Sequence, residues 1–192
     1  MIVVLAIGLA LGIQAFLVKP YQIPSESMEP TLEQGQRILV NRITFHLGGD
    51  PEIGDVVVFH PPVTAEPDYE GEACSVQKPD GQACPENDPR ESDENFVKRV
   101  VAGPGDQVRI ENGIPIVNDQ PVDEPDWDVQ PCGSGDGCNL EREITIPEDH
   151  YFMMGDNRGF SDDSRYWGPV PRDWMIGEAF FTYWPIDRIG LL

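Results

Sequence analysis

Positive charge is scarce in this 192-residue chain: 13 lysines and arginines stand against 34 aspartates and glutamates, for a formal net charge of -21. A field of that sign argues against nucleic-acid binding and against adhesion to anionic lipid through a basic patch. The lysines are Lys19, Lys78 and Lys98 and the histidines His46, His60 and His150, so few side chains can act as a nitrogen base. C-x-x-C pairs with histidine neighbours, the pattern of zinc sites, are absent. Cys74, Cys84, Cys132 and Cys138 fall in Pro/Gly/Asp-rich stretches and are expected as disulfides. Of the three connectivities, the sequence-local pairs Cys74 with Cys84 and Cys132 with Cys138 are favoured, because each staples one irregular loop. That chemistry places the domain outside the cytoplasm. After Val18 no 3.6-residue apolar period lasts long enough for a helix, and no internal repeat occurs. Low helix content follows, and a solenoid is excluded.

What is present begins with an uncharged run, Met1 to Val18, in which only Gln14 is polar. As a helix it would span roughly 27 Å, close to the hydrocarbon thickness of a bilayer. No positive residue precedes it and no clear small-x-small cleavage site follows, so an anchor at 1–18 is favoured over a cleaved signal. With no charge before the run, the positive-inside rule has little to count. The remainder, 19–192, suffices for one domain with a real core.

In that domain, runs of β-branched and aromatic residues recur between Gly/Pro turns, and the class is mostly β. Strands are expected at 37–43, 55–59, 95–102, 107–110, 114–117, 143–146, 151–154 and 179–184. The stretch 64–94 carries 10 acidic residues and almost no large apolar side chain, and reads as an acidic insertion. A second excursion, about 111–141, has tighter apolar turns and Trp127, and reads as a small cap subdomain. The core is then about 19–63, 95–110 and 142–192.

Five positions after the apolar run, residues 23–32 read IPSESMEPTL. Pro24 and Pro30 bracket the two serines, so the segment neither continues a helix nor enters a sheet centre. Alone, Ser25 and Ser27 are ordinary turn or N-cap residues. A serine that attacks an amide needs a neighbour unprotonated at working pH. Each histidine has an ordinary strand-end or turn reading. Lys98 is the better base, since Phe96, Lys98 and Val100 share one face of a strand and apolar neighbours favour the neutral amine. The bland alternative is a strand lysine whose ammonium reaches water.

A polar loop, 155–168 (GDNRGFSDDSRYWG), follows the strand at 151–154 and is dense enough in carboxylate, hydroxyl and guanidinium to brace a site. It fails the EF-hand pattern, because Arg158 and Phe160 stand where oxygen ligands are needed. Ser75-Val76-Gln77-Lys78 matches S-x-x-K by chance: the chain lacks K-T-G and S-D-N.

Taken in order, these segments resemble the boxes of the bacterial type I signal peptidase family, Ser/Lys-dyad serine proteases of the membrane. The resemblance rests on Pro24–Leu32, Gly54–Phe59, Val97–Asp106, Gly155–Pro169 and Trp184–Arg188. It implies that Ser27 is the nucleophile and Lys98 the general base, with Ser25 and the Ser27 backbone N–H at the oxyanion. It further implies that Ser161 orients the lysine, that Asp163 and Arg165 brace the loop, and that Asp156 and Arg99 hold the lysine strand against it. Ile23, Pro24, Met28 and Leu32 are the expected liners of shallow substrate pockets. The implied substrates are signal-peptide-bearing precursors cut after small residues of Ala-x-Ala type, with no metal and no cofactor. The expected architecture is an N-terminal transmembrane helix, then a coiled β-sheet or partly open barrel with an inserted cap, held on the extracytoplasmic side of the cell membrane. Glu26 stands where many members have glycine. The competing class is a non-catalytic, acidic, disulfide-stapled β module that binds partners at the envelope.

Overall fold

The structure, a computed structural model, describes residues 17–122, 124, 129–133 and 135–192. The expected anchor lies outside these residues except for Leu17 and Val18, as does Trp127. Among the described residues no helix is long and apolar enough to cross a membrane.

Among the described residues twelve strands form two antiparallel sheets: β1 (Val18–Gln22), β2 (Arg37–Asn41), β3 (Val56–Phe59), β4 (Phe96–Ala102), β5 (Gln107–Glu111), β6 (Ile114–Val117), β7 (Gln120–Pro121), β8 (Leu140–Thr145), β9 (His150–Met154), β10 (Val170–Pro171), β11 (Met175–Trp184) and β12 (Gly190–Leu191). The larger sheet runs β1-β2-β11-β3-β4-β9-β10, with β12 on β11, and the smaller runs β7-β6-β5-β8. The mostly β expectation holds, and the helices of the described residues are single turns such as α1 (Ile43–His46) and α2 (Ser164–Trp167). Register shifts along β11 and at Val100/Ala102 of β4 coil the large sheet, which stays open between β1 and β10.

Strand alternation sorts the side chains into three cores. Val56 and Val58 join Ile23, Met28, Leu32, Ile38 and Val40 on one side of β3. Val57 and Phe59 face the other way, toward Val100, Met153 and Trp167. Beyond the irregularity in β4, Val101 and Ala102 turn toward the small sheet and pack with Val108, Ile110 and Phe152. The chain passes from β4 to β5 through a tight turn in which Gly105 has φ +80° and Gly103 N–H donates to Asp106.

Sequence patterning placed most of these strands but missed β1, which begins at Val18 where the apolar run ends. Patterning also missed the two-residue strands β7, β10 and β12, too short to carry a period. The residues expected to extend β2 to position 43 turn instead into α1, because Asn41 side-chain oxygen accepts from Ile43 N–H and offers the backbone another partner. Both disulfides take the expected pairing, Cys74–Cys84 and Cys132–Cys138. The stretch 64–94 is tied down as well as acidic: Ala83 and Cys84 are fully buried, and Cys84 N–H donates to Arg165 carbonyl.

Candidate active site

Ser27 lies in the turn between β1 and β2. Glu29 N–H donates to Glu26 carbonyl and Leu32 N–H to Met28 carbonyl, closing a compact loop around the serine. Met28 and Leu32, both buried, plug this loop into the core beneath. Lys98 rises from the middle of β4 opposite Val57 of β3. It is 4 % exposed, with its ammonium 5.4 Å from the centre of the Phe96 ring. Lys98 Nζ donates to Ser27 Oγ at 2.6 Å, and Ser25 Oγ donates to the same oxygen at 3.3 Å. The structure thus brings Ser25, Ser27 and Lys98 to one point, although 71 residues separate the last two.

Burial pushes the Lys98 ammonium from 10.5 down to about 8, and Asp163, Asp162 and Asp156 work against that fall. A lowering of this size corresponds to roughly 3 kcal/mol of preference for the neutral amine. Apolar surroundings that pack well are thus what fits this lysine to accept a proton near neutral pH.

Arg99, the next residue, points through the opposite face of β4. Its guanidinium makes two hydrogen bonds to Asp156, at 2.9 and 2.6 Å, and a third to Gly54 carbonyl. Thr31 Oγ1 donates to the same Asp156 carboxylate at 2.6 Å, so one buried acid ties the serine turn, the lysine strand and the polar loop together. Asp163 and Arg165 form a fully buried pair, with Arg165 Nε donating at 2.7 Å. Burial alone would raise the Asp163 acid; Arg165 outweighs it and holds the carboxyl below its ordinary range. Arg165 also donates to the carbonyls of Arg158, Ser161 and Gly137, which fixes the loop's shape.

Two expectations need correction. Leu32 does not line the cleft beside Ser27: it is fully buried with Ile38, Val40 and Val58, because the Leu32–Met28 hydrogen bond turns the chain inward. Ser161 does not hydrogen-bond Lys98, whose ammonium is directed at Ser27. Ser161 Oγ is buried against Gly155 without a well-formed hydrogen bond among the described residues, near enough to Asp163 to help keep that acid ionised. The histidines stand apart from the serine: His60 Nδ1 meets Glu94 carbonyl, His150 Nδ1 meets Glu148 carbonyl, and His46 is exposed. Ser75 and Lys78 of the chance S-x-x-K bond to different backbone carbonyls, those of Glu86 and Gln82.

Sequence reasoning passed over Asn157 and Gly155. Asn157 N–H donates to Ser27 carbonyl at 3.1 Å and its side-chain amide to Glu26 carbonyl at 3.2 Å, pinning the serine turn from behind. A Cβ on Gly155 would run into Ser27 carbonyl and Ser161 Oγ, so only glycine permits this approach. Their positions in the polar loop were the one available signal; their contacts with the serine turn are between residues more than 120 apart. A cleft of about 530 Å³ opens over Ser27 and Lys98, lined by Ile23, Pro24, Met28, Val97 and Phe160 among others.

The family described as signal peptidase, peptidase S26, matches residues 1–184. The probable signal peptidase I-1 of Synechocystis is 38 % identical over all of this chain and 84 % of its own length. The probable signal peptidase I-2 of the same organism is 35 % identical over 98 % of this chain and 73 % of its own length. The signal peptidase I of Leptolyngbya laminosa is 37 % identical over 98 % of this chain and 79 % of its own length. The chain therefore belongs to the signal peptidase, peptidase S26, family.

Proposed function

We propose that the protein is a membrane-anchored endopeptidase that removes signal peptides with Ser27 as nucleophile and Lys98 as general base. The 2.6 Å approach of Lys98 Nζ to Ser27 Oγ inside a buried pocket carries this reading. The neutral amine accepts the Ser27 proton as the oxygen attacks the scissile carbonyl, and the tetrahedral oxyanion is met by the Ser25 hydroxyl and the Ser27 N–H. The Lys98 ammonium then protonates the departing amine, an acyl-enzyme forms on Ser27, and a water activated by the same amine releases the product. Asp156 with Arg99, and Asp163 with Arg165, hold the two strands and the polar loop in register.

Ile23 and Met28 are buried yet border the cleft beside Pro24, which suits small apolar side chains such as alanine at the first and third positions before the cut. An extended substrate backbone fits between the Ile23–Ser25 and Glu94–Val97 walls of that cleft. The apolar run 1–18, ending where β1 starts, would hold the cleft close to the bilayer in which a precursor's signal segment lies.

Ser27→Ala and Lys98→Ala are each expected to abolish cleavage of a precursor carrying Ala-x-Ala, while His60→Ala and His150→Ala retain most turnover. Full cleavage by either dyad variant would overturn the assignment. Because Lys98 must be neutral to act, kcat/KM is expected to rise with pH and level off above about pH 8.

A further inference from the structure

Two residues of the cap, Val129 and Gln130, join the serine turn to the polar loop. Val129 forms an antiparallel bridge with Pro30, Gln130 a parallel bridge with Asn157, and Gln130 N–H donates to Asp156 carbonyl at 2.8 Å. This strap is fixed on both sides. Downstream, Cys132 is tied to Cys138, and its carbonyl lies so close to Gly159 that a Cβ there would collide with it. Upstream, Glu124 accepts from Arg158 Nη2 at 2.5 Å. The Arg158 side chain is 1 % exposed, and Glu124 is its one ion-pair partner among the described residues. Its other side-chain hydrogen bonds run to Gly113 carbonyl at 2.6 Å and to Gly155 carbonyl at 2.9 Å. Gly155 is the residue against which Ser27 carbonyl rests. Neither Glu124 nor Gln130 lines the cleft over Ser27 and Lys98.

We propose that Glu124 is a positioning residue: through Arg158 and the Val129–Gln130 strap it holds the serine turn at the 2.6 Å from Lys98 that proton transfer requires. The inference rests on the Ser27/Lys98 reading. A buried guanidinium without its carboxylate is costly, so neutralising Glu124 drives Arg158 toward water and away from the carbonyls of Gly113 and Gly155. The strap then loses its upstream anchor. What loosens is Gly155 and Asn157, the two residues that meet Ser27 carbonyl, whereas Lys98 stays where the paired strands β3 and β4 hold it. Ser27 drifts and its base does not. Ile23, on the substrate side of the cleft, is held independently of the strap by its hydrogen bonds with Gln36 and Gly35. The chemical step should therefore suffer while substrate binding is spared.

The test uses the full chain in detergent micelles and an Ala-x-Ala peptide. Glu124→Gln is expected to lower kcat about tenfold or more with KM within about twofold, and Glu124→Asp, which keeps the charge, to recover part of that loss. Gln130→Pro deletes the N–H that binds Asp156 carbonyl and should lower kcat in the same way, whereas Gln130→Ala keeps it and should not. Amide hydrogen exchange separates positioning from general weakening. In Glu124→Gln the Asn157 amide, bonded to Ser27 carbonyl, should exchange faster while the Val100 amide in the sheet keeps its wild-type rate. Acceleration of both alike would make Glu124 a brace for the whole fold and overturn the proposal. Ser27→Ala, run alongside, keeps the two readings apart: cleavage that survives in it overturns the nucleophile. Wild-type kcat in both Glu124→Gln and Gln130→Pro, with Ser27→Ala inactive, overturns the positioning role alone.

Discussion

At the scale of single residues, the site depends on groups that are costly to bury and are kept there by specific partners. Ser25 is the simplest to isolate, since its hydroxyl touches Ser27 Oγ and nothing else in the site's hydrogen-bond network. Ser25→Ala is expected to lower kcat by about 10²–10³ with little change in KM, as the loss of one oxyanion donor does in acyl transfer. Wild-type kcat in that variant would remove Ser25 from the mechanism. Ser27 and Lys98 could be paired from the sequence only through the resemblance of their two segments to ordered family boxes, since alone the proline-flanked serines read as a turn and Lys98 as one candidate base on an apolar strand face. Asn157 was not legible as an individual, because it acts through backbone carbonyls of a turn 130 residues earlier.

Between elements, the structure is held by close approaches rather than by side-chain bulk alone. The polar loop meets the serine turn through Asn157 N–H and through Gly155, whose missing side chain lets Ser27 carbonyl sit against it. Gly155→Ala should force the turn away from Lys98. About 1–3 kcal/mol of stability is the expected cost of such overpacking. A displacement near 1 Å should remove about 10²-fold of activity, so peptide cleavage should fall far more than the thermal midpoint. Equal, modest losses in both would show that the turn tolerates the shift. The strands with alternating Val and Ile were readable because burial on two faces imposes a pattern. β1 was hidden under the apolar run that precedes it, and β10 and β12 under their shortness. The acidic stretch 64–94 concealed Ala83, a small side chain that fills a core position beside the buried Cys84.

For the molecule as a whole, the charge is lopsided enough to act on stability. With 34 acidic groups against 13 basic ones, and the buried Lys98, Arg99, Arg158 and Arg165 nearly matched by the buried Asp88, Asp156 and Asp163, the acidic excess sits on the surface. Self-repulsion of that kind weakens the compact state and is screened over about 3 Å at 1 M salt, against 10 Å at 0.1 M. Raising sodium chloride from about 0.1 to 1 M is expected to lift the thermal unfolding midpoint by a few degrees, read by circular dichroism. A midpoint that falls with salt would mean that ion pairs such as those of Arg109 with Glu111, Asp119 and Glu143 dominate over the repulsion.

The order of the large sheet also imposes an order in time. Ser27 belongs to the β1-β2 edge and Lys98 to the β3-β4 pair, and β11 is the strand inserted between them. A ribosome working from the N-terminus delivers Ser27 first, Lys98 later and Met175–Trp184 after both. Until that strand arrives, β2 and β3 have no common partner and the two reactive groups are carried on separate hairpins. A newborn chain thus carries Ser27 and Lys98 apart until its longest strand is made, so the proposed chemistry would be switched on only near the end of synthesis.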